Sequence, residues 1–311
     1  MPPPAPRLLL LDSASLYFRA FYGVPDRSAV GTPPTNAVRG FLDMIASLVE
    51  RGRPTHLAAC WDNDWRPVFR VAALPSYKAH RVGDPNGGED VPAQLSVQVP
   101  IIVEALAALG IPRVGADGFE ADDVIGTLTE RHRAAMPVDI VTGDRDLFQL
   151  VDDASHVRVI YTARGGVRQP DIVDQAFLAD KYAVASGRAY ADLAVLRGDT
   201  SDGLPGVPGV GEKTAATLIA TYGDLATLRA AIADGDPALK GAQRSRLEAA
   251  ADYLDAAPGV VDVVRDIDLP VGEEELRLPD RVADPVLMSR LAIEHGLTSS
   301  FDRVITALRI G

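Results

Sequence analysis

Short apolar runs that end in an aspartate recur along the chain. Leu8-Leu9-Leu10-Leu11 runs into Asp12, and His56-Leu57-Ala58-Ala59-Cys60-Trp61 runs into Asp62. Val138-Asp139-Ile140-Val141-Thr142 meets Gly143 and then Asp144 and Asp146. Runs of this length, rich in branched residues and broken by glycine, predict buried strands. Between them the apolar spacing becomes helical. Val38, Phe41, Leu42, Ile45, Leu48 and Val49 predict an amphipathic helix from Thr35 to Arg51. Strand–helix–strand order predicts a sheet that is at least partly parallel. The same reading predicts strands near Ile111–Val114 and Val157–Tyr161. It predicts helices over Val99–Leu109 (stopped by Gly110), from about Ala121 to Arg133, from Pro170 to about Arg197 with a break near Gly187, and over 225–256. Helices over Ala283–Leu308 are expected to pack back on the body. The fold class is α/β: a central, mostly parallel twisted sheet flanked by helices, followed by a helical region.

The aspartates change this from a fold into a site. In open α/β sheets, ligands bind outside the carboxyl ends of the strands. Carboxylates brought together there repel one another unless a cation or proton sits among them. Gly118-Phe119-Glu120-Ala121-Asp122-Asp123 adds three acids to a predicted helix start. That is more than capping requires, although acids at a helix N-terminus are ordinary. Gly198-Asp199-Thr200-Ser201-Asp202 adds two at i, i+3 spacing, where turn and cap roles are the alternative. Asp144 likewise has a plain alternative as a helix cap. No histidine or cysteine lies among these acids, so the donor set suits hard cations, Mg²⁺ or Mn²⁺. So many carboxylates exceed the needs of one Mg²⁺, and two or more ions are the natural reading. Ions about 4 Å apart serve in-line displacement at phosphorus.

Composition limits the alternatives. The chain has 311 residues, 47% of them hydrophobic, and one cysteine, Cys60. A disulfide framework is therefore impossible, and Cys60 reads as a core residue. No apolar run approaches the ~20 residues of a membrane span, and the N-terminus lacks a signal-peptide layout. A soluble, cytoplasmic protein is expected. The net charge of −12 argues against nucleic acid as a partner unless metal ions offset the clustered acids.

Positive charge is nevertheless grouped. Arg66, Arg70, Lys78, His80 and Arg81 surround Tyr77, ahead of a glycine-rich loop, Val82 to Pro92. Lys78 and Arg81 read either as solvated surface charge or as a clamp on a phosphate backbone. On the predicted helix after Asp12, Tyr17, Phe18, Phe21 and Tyr22 read as core packing, with stacking of one ring on a base as the alternative. Gly206, Gly209 and Gly211 open into a helix carrying Lys213 and Thr214 in its first turn. Glycines allow close backbone approach, and helix N-termini favour anions. The spacing is not that of a Walker loop, so a non-specific grip on a nucleic-acid backbone is expected.

Taken in order, these motifs resemble the 5′-nuclease family (flap endonucleases and 5′→3′ exonucleases), especially the N-terminal nuclease domain of bacterial DNA polymerase I. They are Asp12, Trp61-Asp62, Ser76-Tyr77-Lys78-Ala79-His80-Arg81, Phe119-Glu120-Ala121-Asp122-Asp123, Thr142-Gly143-Asp144-Arg145-Asp146, Gly198-Asp199-Thr200-Ser201-Asp202 and the Gly206–Lys213 segment. The resemblance implies a structure-specific nuclease acting near junctions of single- and double-stranded DNA, on flaps, nicks, gaps or 5′-ended duplex, with the RNA primer of a hybrid as a further substrate. It implies a monomer near the nucleoid, in replication and repair.

It also implies metal ligation by Asp12, Asp62, Glu120, Asp122, Asp123, Asp144, Asp146, Asp199 and Asp202. Asp122, Asp123 and Asp144 would serve one ion, and Asp146, Asp199 and Asp202 another. Lys78 and Arg81, with Asp144, would be catalytic. Tyr77, Lys78 and Arg81 would meet DNA from an arch or gateway at about 66–100. Gly206, Gly209, Gly211, Lys213 and Thr214 would form a helix–hairpin–helix-like duplex grip at about 204–222, which in the family often holds K⁺. The implied division is a nuclease domain over 1–185 and a DNA-binding region over 186–311. Ser13 departs from the glycine that often follows the first aspartate. No polymerase region follows before Gly311, so a stand-alone paralogue or an excised domain is expected.

Two rivals come from other classes. An aspartyl-nucleophile phosphatase would need a second aspartate two residues after Asp12, where this chain has Ala14. A non-catalytic DNA-binding module would be expected to lack some of Asp146, Asp199 and Asp202, and all three are present. An RNA-cleaving relative would not need the hairpin.

Overall fold

The computed structural model describes residues 5–28, 32–83 and 88–310; Asp84–Gly87 of the expected loop lie outside them. Six strands form one sheet: β1 (Leu8–Asp12), β2 (His56–Cys60), β3 (Arg113–Val114), β4 (Val138–Thr142), β5 (Val157–Tyr161) and β6 (Asp171–Val173). Their spatial order is β3-β2-β1-β4-β5-β6, with every pairing parallel except β5 with β6. Every residue of β1, β2 and β4 is buried, which is why these strands read as unbroken apolar runs rather than alternating ones.

Two apolar layers cover the sheet. On one face Leu8, Leu10, Ala58 and Ile140 meet Val124, Ile125 and Leu128 of the Ala121–His132 helix. On the other, Leu9, Leu11, Leu57 and Val141 meet Phe41, Leu42 and Ile45 of the Asn36–Gly52 helix. The helices Pro285–His295 and Thr298–Leu308 do return to the body. They pack on the Val99–Leu109 and Asn36–Gly52 helices, with Phe301 and Val304 in the core. The chain moves outward from β1 to β2 to β3, then crosses back to β4 beside β1 and moves outward the other way. That reversal opens a crevice at the carboxyl ends of β1 and β4.

Two expectations need correction. The stretch from Pro170 to Arg197 is not helical from its start, because Asp171–Val173 forms an edge strand antiparallel to β5, with Tyr161 opposite Asp171. Three residues are too few to show a period, and Ile172 of this edge is 41% exposed. Helices follow over Gln175–Tyr182 and, capped by the Ser186 hydroxyl, over Gly187–Arg197. The ring cluster after β1 is core only in part: Tyr17 packs against the core beside Trp61. Leu16 and Ala20 carry the buried face of the Ser13–Gly23 helix, while Tyr22 is 73% exposed and Phe18 borders the crevice.

Candidate active site

The crevice at the strand ends is a cleft of about 240 Å³, bordered by Asp12, Asp62, Glu120, Asp122, Asp144, Lys78 and Arg81, with Ser15, Trp65 and Glu89. A larger cavity of about 890 Å³ lies at the opposite end of the sheet, beside Thr55 and His56. It is remote from the carboxylates and lacks their convergence.

Each acid is placed by local structure. Asp12 ends β1 and itself caps the following helix, accepting the Ser15 N–H at 3.1 Å. The Ser15 hydroxyl accepts the Gly143 N–H at 2.7 Å. The second Asp12 oxygen accepts the Thr142 hydroxyl at 2.6 Å, and that hydroxyl accepts the Asp144 N–H at 2.8 Å. One threonine thus ties together the acids at the ends of β1 and β4. Asp144 is not the N-cap of the short Asp146–Leu150 helix, a position held by Arg145; its carboxylate accepts the Asp146 N–H at 3.0 Å and is exposed in the cleft. Asp62, two residues past β2, accepts the Ala121 N–H at 2.8 Å, at the start of the helix that carries Asp122.

Burial acts on these groups together. Loss of water, followed by the field of neighbouring carboxylates, pushes the Asp12 carboxyl up to about 7, although the Thr142 hydrogen bond opposes the rise. Asp122 and Asp146 are pushed well above the ordinary carboxylate range, first by desolvation and then by acid neighbours. Asp62, Glu120 and Asp202 are also raised, with desolvation foremost. Asp146 feels Asp144, Asp202 and Asp199, so the second group of acids adjoins the first.

Lys78 and Arg81 reach the cleft from a segment pinned to the Gly198–Gly203 turn. The Lys78 N–H donates to the Asp202 carbonyl at 2.9 Å. At Gly203, where φ is +74°, a Cβ would lie 2.1 Å from the Ser76 carbonyl oxygen, so only glycine permits the approach. The Lys78 ammonium pairs with Glu120. Arg81 donates to the Asp202 carboxylate at 2.7 Å and to the Ser201 carbonyl at 2.8 Å. Asp199 lies 3.7 Å from Arg145 and 3.8 Å from Arg197.

Three assignments from the sequence do not survive this geometry. Asp123 does not face the cleft. One of its oxygens accepts from Arg70 at 2.6 Å and from the Val264 N–H at 2.9 Å; the other accepts from Arg70 at 2.7 Å and from the Glu120 N–H at 3.2 Å. Four donors fill a carboxylate, and Asp123 is wholly buried. Tyr77 is 4% exposed and its hydroxyl donates to Glu120 at 2.7 Å, so its ring is not offered to a base. Gly206 is buried in a turn, where a Cβ would lie 2.4 Å from the Arg197 carbonyl oxygen. The remaining hairpin residues do face outward. Gly209 and Gly211 are exposed, among the described residues no side chain caps the Glu212–Tyr222 helix, and Lys213 is exposed with Thr214 half-buried beside it. Arg246 stands next to Gly209.

Sequence reasoning passed over Thr142, Ser15 and Glu89 as site residues. Thr142 lies within a quoted motif and Ser15 three residues after Asp12, but nothing in a spacing says that a hydroxyl bridges two strands.

The acids fit hard divalent ions: the donors are all oxygen, desolvated and backed by hydrogen bonds. Among the described residues no three of these side chains yet converge tightly enough to hold one ion. Several of them are engaged with other partners: Lys78 pairs with Glu120, Arg81 with Asp202, and the Thr142 hydroxyl with Asp12.

The sequence matches two family models. One describes the N-terminal resolvase-like domain of 5′-3′ exonuclease, over residues 7–183; the other describes the C-terminal SAM fold of 5′-3′ exonuclease, over 185–283. A 5′-3′ exonuclease of Streptomyces coelicolor is 56% identical over 306 residues, covering 96% of this chain and 99% of that protein. A 5′-3′ exonuclease of Mycobacterium tuberculosis is 49% identical over 97% of both chains. DNA polymerase I of Mycobacterium bovis is 41% identical over 88% of this chain but 29% of its own length. In structure, the T5 D15 protein co-crystallised with metal ions superposes with a TM-score of 0.64 at 17% identity, over 97% of this chain and 98% of that one. The catalytic core of Rad2 in complex with DNA substrate gives 0.59 at 19%, over 98% and 93%. At such identities these two show a shared fold.

Proposed function

The chain belongs to the 5′-3′ exonuclease family, and from that premise we propose that its cleft hydrolyses DNA phosphodiesters at or near 5′ ends where single strand meets duplex, leaving 5′-phosphate and 3′-hydroxyl. The single observation that carries this reading is the meeting of carboxylates from the ends of β1, β2 and β4 with Lys78 and Arg81 in one cleft. Asp12, Asp62, Glu120, Asp122 and Asp144 would hold one divalent ion, and Asp146, Asp199 and Asp202 would contribute to a second, Mg²⁺ or Mn²⁺. When bound, such ions supply an activated water and a stabilised leaving oxygen. Lys78 and Arg81 place positive charge beside the cleft, where it can offset charge on the phosphate. The exposed Gly209 and Gly211, with Lys213 and Thr214, would grip duplex phosphates, with K⁺ as an accompanying ion. Flaps, nicks, gaps and the RNA primer of a hybrid are the substrate forms proposed for this cleft. The acting form is proposed to be a monomer.

The test uses a double-flap DNA labelled at its 5′ end, compared with the blunt duplex, with Mg²⁺, Mn²⁺ or chelator. Metal-dependent release of the flap, faster than attack on the blunt duplex, supports the reading. Binding of the same DNA without release in any metal would make the chain a recognition module and leave the acids unexplained.

A further inference from the structure

Arg70 lies on the short Val68–Ala73 helix beside the cleft and is 2% exposed. A guanidinium has five N–H groups, and the structure uses all of them. Nε donates to the Val260 carbonyl at 2.9 Å. Nη1 donates to Glu120 at 2.6 Å and to Asp123 at 2.7 Å, and Nη2 donates to Asp123 at 2.6 Å and to the Asp262 carbonyl at 3.4 Å. Asp123, its lone pairs filled, locks the guanidinium in place. The guanidinium and the Tyr77 hydroxyl then share one Glu120 oxygen, Oε2. That leaves Oε1 as the oxygen presented to Lys78 and the cleft.

We propose that Arg70 is a positioning residue for the nuclease site, holding Glu120 so that a single, defined oxygen faces the metal-binding cleft. The inference rests on the reading of Glu120 and Asp122 as cleft acids that hold a divalent ion. A bare buried ion pair would need only opposite charges. Here the planar fork, two backbone carbonyls and a tyrosine hydroxyl fix an orientation. Lysine, a point charge with three donors, cannot reproduce it. The carbonyls of Val260 and Asp262 also tie this orientation to the segment that follows the helical 225–256 region.

Three variants of the full chain separate the possibilities: Arg70→Lys, Tyr77→Phe and Asp122→Asn. Mn²⁺ binding is measured by calorimetry on protein shown to be folded by circular dichroism, alongside kcat and KM for flap cleavage. Arg70→Lys should weaken Mn²⁺ binding by roughly 10-fold, the lower end of what a lost outer partner of a ligand costs, and lower kcat while leaving KM for DNA in place. Tyr77→Phe removes the other donor to Oε2 without touching Asp123. It should act in the same direction, more weakly, and it decides the matter if Arg70→Lys does not fold. A lower melting temperature with unchanged Mn²⁺ binding and kcat in both variants would make Arg70 purely structural and overturn the proposal. If Asp122→Asn leaves Mn²⁺ binding unchanged, the underlying reading of the cleft fails, which is a different result.

Discussion

Replacing Thr142 by valine keeps volume and branching but removes one hydroxyl. That hydroxyl donates to Asp12 at 2.6 Å and accepts the Asp144 N–H at 2.8 Å, in a residue that is wholly buried. A hydrogen bond to a charged group is worth roughly 1.5–3 kcal/mol, and an unsatisfied buried N–H costs ~1–3 kcal/mol. Partial relaxation brings the expected loss to about 2–3 kcal/mol at pH 8, or roughly 3–5 °C in melting temperature. The sign with pH follows from Asp12. Its folded carboxyl titrates at about 7, above its ordinary 3.8. Proton uptake therefore stabilises the fold below 3.8, and that contribution disappears as pH rises through 7. The Thr142 hydrogen bond favours the charged form, so its removal pushes Asp12 higher still. Without metal, Thr142→Val should lose more stability at pH 8 than at pH 5, and Mg²⁺ should restore more of it at the higher pH. Thermal melts at both values, without Mg²⁺ and with Mg²⁺ at roughly ten times its Kd for the cleft, read this directly. A loss independent of both pH and Mg²⁺ would refute the idea that Thr142 acts by stabilising a charged Asp12.

Two further outcomes concern the hairpin. Lys213→Ala should weaken duplex binding across sequences and reduce the slope of log affinity against log salt by about 1, measured by fluorescence anisotropy; an unchanged slope would remove the phosphate contact. Gly206→Ala should cost roughly 1–3 kcal/mol, because φ is +67° and the new Cβ would meet the Arg197 carbonyl. Its melting temperature should fall without any change in the Mn²⁺ affinity of the cleft.

The sheet and most of the cleft acids were legible in the sequence for one physical reason. Strands buried on both faces read as apolar runs, and the residue that ends such a run lies at the sheet's ligand-binding edge. Asp12, Asp62 and Asp144 could therefore be placed before any coordinates. Asp123 could not be separated from Asp122, because adjacent residues at a helix start point in different directions and only the partner decides between them. That partner, Arg70, lies 53 residues away in sequence. Tyr77 misled for the same reason, since its hydroxyl is taken by Glu120. The edge strand Asp171–Val173 was hidden because its length is below any period.

Asp144 offers the most direct trial of the two-ion site. Its carboxylate is exposed in the cleft, and the one hydrogen bond it accepts among the described residues is local, so alanine should leave the fold intact. Single-turnover cleavage of the 5′-labelled double flap in Mg²⁺ should fall by several orders of magnitude in Asp144→Ala, with affinity for the same DNA nearly unchanged. Cleavage at the parent rate by a folded Asp144→Ala protein would contradict the assignment of these acids to the chemistry.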